Sequence, residues 1–388
     1  MTNADRWLLP DGIDEILPPQ ARSIEQLRRH LLDYLDNCGY DLVIPPALEY
    51  LDSLLTGTGK DLDLKTFKVT DQLSGRLMGL SADTTPQVAR IDAHSLAPEG
   101  ISRLSYCRTV FHTKPGSLLA SRTPTQIGAE LYGEAGIRAD VEIISVMLSL
   151  LEQSGISSVH LDIGNVGLFR ILASAAELTD SQLNELSDLL KLRCSSDTRG
   201  WLKTNLSDQT LIQAFSVLAD LQGSTASLKE RLNELQGLVP DTAEEIGYLR
   251  EVTDRLSQRF PEISMTCDLT ELRGYDYHTG LVFAAYVPGY GDAVAQGGRY
   301  DETGAVFGRA RPATGFSADL KVLARLGQRN AGEKLCVSAP VSDDPALWQT
   351  IQQLRSEGKR VLVQLNEDDI PCDQRLQLID GQWQLTSA

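Results

Sequence analysis

Apolar residues at Ile24, Leu27, Leu31, Leu32 and Leu35 recur three or four positions apart, with charged residues between them. That spacing puts them on one face of a helix. Gly39 supplies the stop, and residues 40–44 form a short strand that Pro45 and Pro46 end. Alternation predicts further strands near 66–70 and 76–80, then at 104–111 and 125–132, the last two joined by the loop HTKPGSLLASRTP. A helix over 139–153 and a strand over 158–163 follow. From about 166 to 260 the pattern changes to leucine-rich helices opened by capping signals, Thr179 with Gln182 and Asp241 with Glu244. This stretch reads as an inserted helical module.

Strands resume at 263–268 and 280–287. The glycine-rich GYGDAVAQGGRYD reads as a tight turn between strands, and a last helix covers 318–326. GQRNAGEK is a linker. Beyond it, strands at 334–339 and 360–365 flank a helix that Asp344 and Pro345 open and Gly358 closes; LQLIDGQWQL is a hairpin turning at Asp380-Gly381. The expected domains are a core of residues 1–165 and 261–328, an insertion of 166–260, and a small C-terminal α/β domain of 329–388.

Composition narrows the function classes. The 388 residues are 42% apolar and 23% charged, as in a soluble globular protein. With 36 Lys and Arg against 53 Asp and Glu, the net charge of −17 disfavours a surface that tracks nucleic-acid phosphates. The six cysteines lack CxxC spacing and the N-terminus lacks a secretory pattern, so a cytoplasmic, reduced protein is expected. The five histidines are dispersed, and no metal site is expected. No apolar run approaches the roughly 20 residues of a membrane helix.

Candidate chemistry begins with QIGAELYG, where Gln126, Gly128 and Glu130 share one strand face and Ile127, Ala129 and Leu131 the other. Two readings fit. One is an exposed polar face on an edge strand; the other is a site where Gln126 and Glu130 accept hydrogen bonds from a cationic small molecule that lies over Gly128. GTGKD lacks the first glycine and the Ser or Thr of a phosphate-binding loop. LRGYDYHTGLVF, with Arg273, Tyr277 and His278, is either a satisfied polar rim or a binding surface, and in LSADTTPQVAR Asp83 either caps a helix or joins a site. No catalytic set can be assembled from spacing alone.

Taken in order, these segments resemble the class II aminoacyl-tRNA synthetases, specifically the histidyl enzymes. PPALEY looks like their first motif, and YCRTVFHTKP…SRTPTQIGAELYG looks like their strand-loop-strand second motif, with Gln126 and Glu130 on its QxGxE positions. RGYDYHTGLVF and QGGRYD match two histidine-specific segments, and the likeness covers roughly residues 8–328. The resemblance implies an α+β fold, a mixed and mainly antiparallel sheet flanked by helices. It also implies a histidine site made by Asp83, Thr85, Gln126, Glu130, Arg273, Tyr277 and His278, with Gly128 giving the ligand access.

The departures matter as much. The family's FRxE becomes FHTK, with His112 and Lys114, and its GFALGLERL becomes GFSADLKVL, with Asp319 and Val322. A neutral imidazole cannot fork two hydrogen bonds to phosphate as guanidinium does. The short tail beyond residue 328 does not resemble the family's anticodon-binding domain, so that domain is expected to be missing. LSADTTPQVARIDA instead fits the LRADxTPQVARIDA pattern of the regulatory subunits of ATP phosphoribosyltransferase, with Ser81 replacing the usual arginine. That resemblance implies a chain without catalytic chemistry or cofactor of its own, built on synthetase-like dimers. It would assemble with the short-form catalytic subunit, as a hetero-octamer, in the first step of histidine biosynthesis. Feedback by free L-histidine is implied, with no tRNA and no membrane as partner; the alternative is an active histidyl-tRNA synthetase.

Overall fold

The apolar face near the N-terminus forms α1 (Gln20–Asn37), which buries Leu27, Leu31 and Leu35. Gly39 turns the chain beyond it at φ +84°, a left-handed conformation that costs glycine nothing. The computed structural model describes residues 7–56, 60–117, 120–272, 274–275, 277–327, 335–365 and 371–387. After α1 come β1 (Asp41–Leu42), β2 (Leu48–Tyr50), α2 (Leu51–Leu54), α3 (Lys60–Lys65), β3 (Lys68–Thr70) and β4 (Leu77–Leu80). Then follow α4 (Thr85–Arg90), β5 (Ser102–Thr109), β6 (Thr125–Tyr132), α5 (Ile137–Gln153) and β7 (His160–Asn165).

The helical stretch holds α6 (Val166–Ala175), α7 (Asp180–Lys191), α8 (Ser195–Asn205) and α9 (Gln209–Ala219), then β8 (Gln222–Gly223), α10 (Thr225–Leu238) and α11 (Ala243–Arg259). At α7 the Thr179–Gln182 capping box is made in both directions. The one expected at Asp241 and Glu244 is not. Asp241 lies in a short 3-10 turn, and α11 starts from Thr242 with no side-chain cap. The chain returns through β9 (Ser264–Asp268), β10 (Leu281–Tyr286), β11 (Ala295–Arg299), β12 (Ala313–Asp319) and α12 (Leu320–Leu326).

Among the described residues one sheet runs β1-β5-β6-β12-β11-β10-β7-β9-β8. The run from β5 to β7 is antiparallel at every pairing, while β1 on β5 and β9 on β7 are parallel. β6 therefore sits inside the sheet, between β5 and β12. Its apolar side chains Ile127, Ala129 and Leu131 share one core with Leu27 and Leu31 of α1 and Ile143 and Met147 of α5. A separate small sheet, β2-β4-β3, lies before α4 in sequence.

Two strands differ from the sequence reading. Gly297 and Gly298 belong to β11 rather than to a tight turn, because a Cβ on Gly297 would strike the carbonyl of Gly315 and come within 2.8 Å of Phe316 Cα on the adjacent strand. These glycines let strands approach closely. β12, ATGFSAD, has no foreseen counterpart, since only Thr314 and Phe316 among its residues favour strands, with Gly315 between them.

The C-terminal unit has β13 (Cys336–Ala339), α13 (Pro345–Ser356), β14 (Arg360–Val363), β15 (Gln374–Ile379) and β16 (Gln382–Ser387), in sheet order β14-β13-β15-β16. Asp380 and Gly381 turn the hairpin at φ +50° and +77°, as a two-residue turn requires. Asp344 accepts from Ala346 N at 2.9 Å, capping α13, and from Trp383 Nε1 at 2.7 Å. Cys336, at the start of β13, and Cys372, just ahead of β15, stand side by side with Cα atoms 4.7 Å apart. Cys38, Cys107, Cys194 and Cys267 are free. No helix among the described residues is long and apolar enough to cross a membrane.

Candidate functional site

The polar face of β6 points into the interior, so the exposed-edge reading fails. Register places Gly128 opposite Tyr106 on β5, and Glu130 opposite Gly315 on β12. Glu130 is only 1% exposed. Its Oε1 accepts from Thr85 Oγ1 and Tyr106 Oη, each at 3.0 Å, and its Oε2 accepts from Tyr300 Oη. Burial pushes its pKa up to about 8, while the three hydroxyl donors pull the other way. A Cβ on Gly315 would fall onto Glu130 Oε2, so that glycine makes room for the carboxylate.

Gly128 has a different role from the one expected. A Cβ there would lie 2.5 Å from Tyr106 Oη, so the missing side chain admits the phenol that holds Glu130, not a ligand. Gln126 is also engaged. Its Oε1 accepts from Thr84 N at 2.9 Å and its Nε2 donates to Asp83 Oδ1 at 3.0 Å. The amide thus aims Asp83 instead of offering an acceptor itself. Asp83 Oδ1 also accepts from Thr85 N at 3.2 Å, so it serves the start of α4 and the site together.

On the other side, His278 is buried, and its Nδ1 lies 3.1 Å from the carbonyl of Arg299. A carbonyl only accepts, so Nδ1 carries the proton and Nε2 keeps its lone pair. Burial pulls the imidazole down to about 4, which keeps it neutral. Tyr277 stacks on it with ring centroids 4.3 Å apart. The backbone beneath is fixed by Arg299, whose guanidinium reaches Asp140 at 3.0 and 3.1 Å, both groups buried.

Asp83, Thr85, Gln126, Glu130, Tyr277 and His278 all line one cavity of about 140 Å³. Arg273 lies outside the described residues. The cavity also takes in Asp162 of β7, Glu271 and Tyr300, which the sequence reading did not nominate. Tyr300 lies within the QGGRYD segment and Glu271 flanks LRGYDYHTGLVF, whereas nothing in HLDIGN marks Asp162. An ammonium and an imidazole suit this set: a buried carboxylate held by hydroxyls is favourable beside a cation and costly alone.

Next to the pocket, His112 Nε2 lies 2.9 Å from the carbonyl of Ala82, and burial lowers its pKa. It is a neutral donor already in use. Asp319 Oδ1 accepts from Thr125 N and Lys321 N, at 3.1 and 3.0 Å, and so caps α12. Val322 is half-buried against the core. Ser81, also buried, has its hydroxyl 2.7 Å from Gln87 Oε1. None of the four grips a phosphate in this arrangement.

Comparison with known proteins gives concordant matches. A family model described as histidyl-tRNA synthetase matches residues 12–323, and one described as the ATP phosphoribosyltransferase subunit HisZ C-terminal domain matches 334–386. The ATP phosphoribosyltransferase regulatory subunit of Pseudomonas paraeruginosa is 48% identical over 391 residues, covering 99% of each chain. That of Azotobacter vinelandii is 49% identical over 396 residues with the same coverage. A crystal structure titled an ATP phosphoribosyltransferase regulatory subunit/histidyl-tRNA synthetase, from Bacillus halodurans, superposes with a TM-score of 0.80 at 25% identity over 94% of each chain. A histidyl-tRNA synthetase from a Nostoc species reaches 0.77 at 17% identity over 98% of this chain and 97% of its own, a likeness of fold. The α+β synthetase-like architecture expected from the motifs is the one found.

Proposed function

The chain belongs to the ATP phosphoribosyltransferase regulatory subunit family, and from that premise we propose that it is the non-catalytic partner of a separate short-form catalytic subunit in the first step of histidine biosynthesis. It raises that subunit's activity and lowers it again when histidine is bound. The observation that carries this reading is an asymmetry: a buried, hydroxyl-braced carboxylate pocket lies beside positions where phosphate-gripping residues are replaced by His112 and Val322.

In the proposed complex the ligand's ammonium meets Asp83 and its imidazole meets Glu130. Thr85 and Gln126 hold those two carboxylates, and Tyr277 and His278 form the opposite wall with Arg273. Feedback is then linkage. Histidine must bind the inhibited assembly more tightly than the active one, and a coupling of about 1–3 kcal/mol suffices. We assign the protein to the cytoplasm, as a synthetase-like dimer within a hetero-octamer, without a tRNA partner.

Mixing the chain with the short catalytic subunit and following phosphoribosyl-ATP formation tests the reading. Stimulation by the chain, reversed by histidine, is expected; a rate indifferent to both refutes it. The match of residues 12–323 to the histidyl-tRNA synthetase model favours a second reading, an active synthetase. Histidine-dependent pyrophosphate exchange by the pure chain would establish that reading instead. The occupied His112 and apolar Val322 argue against it.

A further inference from the structure

Between β9 and β10 the chain makes a turn that carries Tyr277 and His278 into the pocket wall. Its backbone closes partly on itself. Gly274, at φ +65°, accepts through its carbonyl from Tyr277 N at 2.9 Å and from His278 N at 2.8 Å. A Cβ on Gly274 would lie 2.6 Å from His278 Cδ2 and 2.7 Å from Tyr277 Cζ, and one on Gly298 would lie 2.8 Å from His278 Cε1. Both rings therefore rest on bare backbone, and where they point depends on how the turn is placed.

Helix α6 supplies that placing. Val166 N, at its start, donates to the carbonyl of Gly280 at 3.0 Å. One helical turn later, Arg170 Nη2 donates to the carbonyls of Tyr275, at 2.8 Å, and His278, at 3.0 Å. The guanidinium carbon also sits 4.9 Å from the centre of the Tyr275 ring, which meets Phe169 edge-to-face at 5.2 Å. Phe169 in turn meets Phe215 of α9 at 6.1 Å. Arg170 does not line the cavity, and its buried Nε finds no acceptor among the described residues. A stranded N–H costs free energy, and what offsets it here, two charge-assisted bonds and a ring contact, acts wholly on the turn.

We propose that Arg170 is a positioning residue for the amino-acid pocket: it clamps the turn from behind, and Tyr277 and His278 face the ligand as long as it does. A binding wall keeps its geometry through groups outside the cavity that lock it, and Arg170 is such a group for this wall. The inference rests on the reading that the pocket takes histidine.

Calorimetry of L-histidine on the full chain tests this in Arg170→Met, Arg170→Lys and Phe215→Leu, with melting curves and imidazole nitrogen NMR spectra of histidine-labelled protein, His278→Gln serving to assign the His278 signals. Arg170→Met loses both carbonyl bonds and should weaken histidine by about tenfold or more, the worth of one charge-assisted hydrogen bond. Arg170→Lys, which keeps the charge and can reach one carbonyl, should recover part of that loss. Phe215→Leu acts one ring further from the turn, and should melt lower while binding histidine within about twofold of the wild type. The His278 ring, neutral with its proton on Nδ1, should lose that single form in Arg170→Met and keep it in Phe215→Leu. Histidine bound by Arg170→Met within about twofold of the wild type, or affinities that fall in step with melting temperature across all three variants, overturn the inference and spare the histidine reading. If Arg170→Met does not fold, Arg170→Lys decides by the same criterion. If the wild type binds no histidine, that reading fails and the spectra decide this one alone: an unchanged His278 signal in the Arg170 variants overturns it, and a changed one supports it.

Discussion

Replacing Glu130 by Gln removes an ionisable carboxyl from the centre of the pocket while keeping its shape, and it should act in opposite directions on binding and stability. The carboxyl group is 1% exposed, and burial raises its pKa from 4.5 to about 8. A carboxyl raised in this way holds more proton folded than unfolded between those values. Its favourable contribution is therefore complete below about 4.5 and lost as the pH climbs through about 8. The corresponding linkage is at most about 5 kcal/mol, reduced by whatever relaxation the hydroxyl shell allows. Gln carries no such charge, and its amide can donate to Tyr300 Oη, which in turn lies 3.2 Å from Tyr132 Oη. The variant should melt like the wild type at pH 5 and above it at pH 9, by scanning fluorimetry. Histidine affinity should fall by about 1.5–3 kcal/mol, roughly 10- to 150-fold, the worth of one charge-assisted hydrogen bond. Unchanged affinity together with melting curves that stay parallel across pH would refute the argument.

Two further outcomes follow from the same packing. Gly315→Ala sets a methyl group where Glu130 Oε2 sits, and should lower stability by about 1–3 kcal/mol in urea unfolding, the usual cost of an overpacked interior. Asp140→Asn leaves buried Arg299 with the partly exposed Asp301, 3.2 Å away, as its remaining counter-charge and should cost at most about 3–5 kcal/mol, read as a drop in the urea midpoint.

The elements read easily from sequence are those whose apolar positions repeat, such as α1, α5 and the hairpin at Asp380-Gly381. β11 and β12 escape because Gly297, Gly298 and Gly315 interrupt any apolar alternation along them, while allowing close approach between the strands. The Cys336–Cys372 pair escapes for another reason: it depends on two strand starts becoming neighbours, which no local spacing encodes. In the site, motifs named residues but not their duties. Gly128 shows in sequence as a gap, and only the β5–β6 register reveals that Tyr106 fills it. Gln126 shows as an acceptor, and only the α4 turn reveals that Thr84 N has already claimed its oxygen.

Burial also explains how one half of the cleft can persist while the other is replaced. The shell around Glu130 is part of the core: Tyr106 and Tyr300 are buried, they pack with Val88 and Leu104, and among the described residues their hydroxyls donate to no other carboxylate. Exchanging any member leaves a cavity or a stranded polar atom, so the amino-acid pocket is bound to the stability of the sheet. His112 and Val322 stand apart from that constraint. They are half-buried, one resting on a backbone carbonyl and the other on the flank of the core, and such positions accept new side chains at small cost. A fold whose phosphate-gripping positions are replaced therefore keeps its architecture, and with it the pocket proposed above for an amino acid.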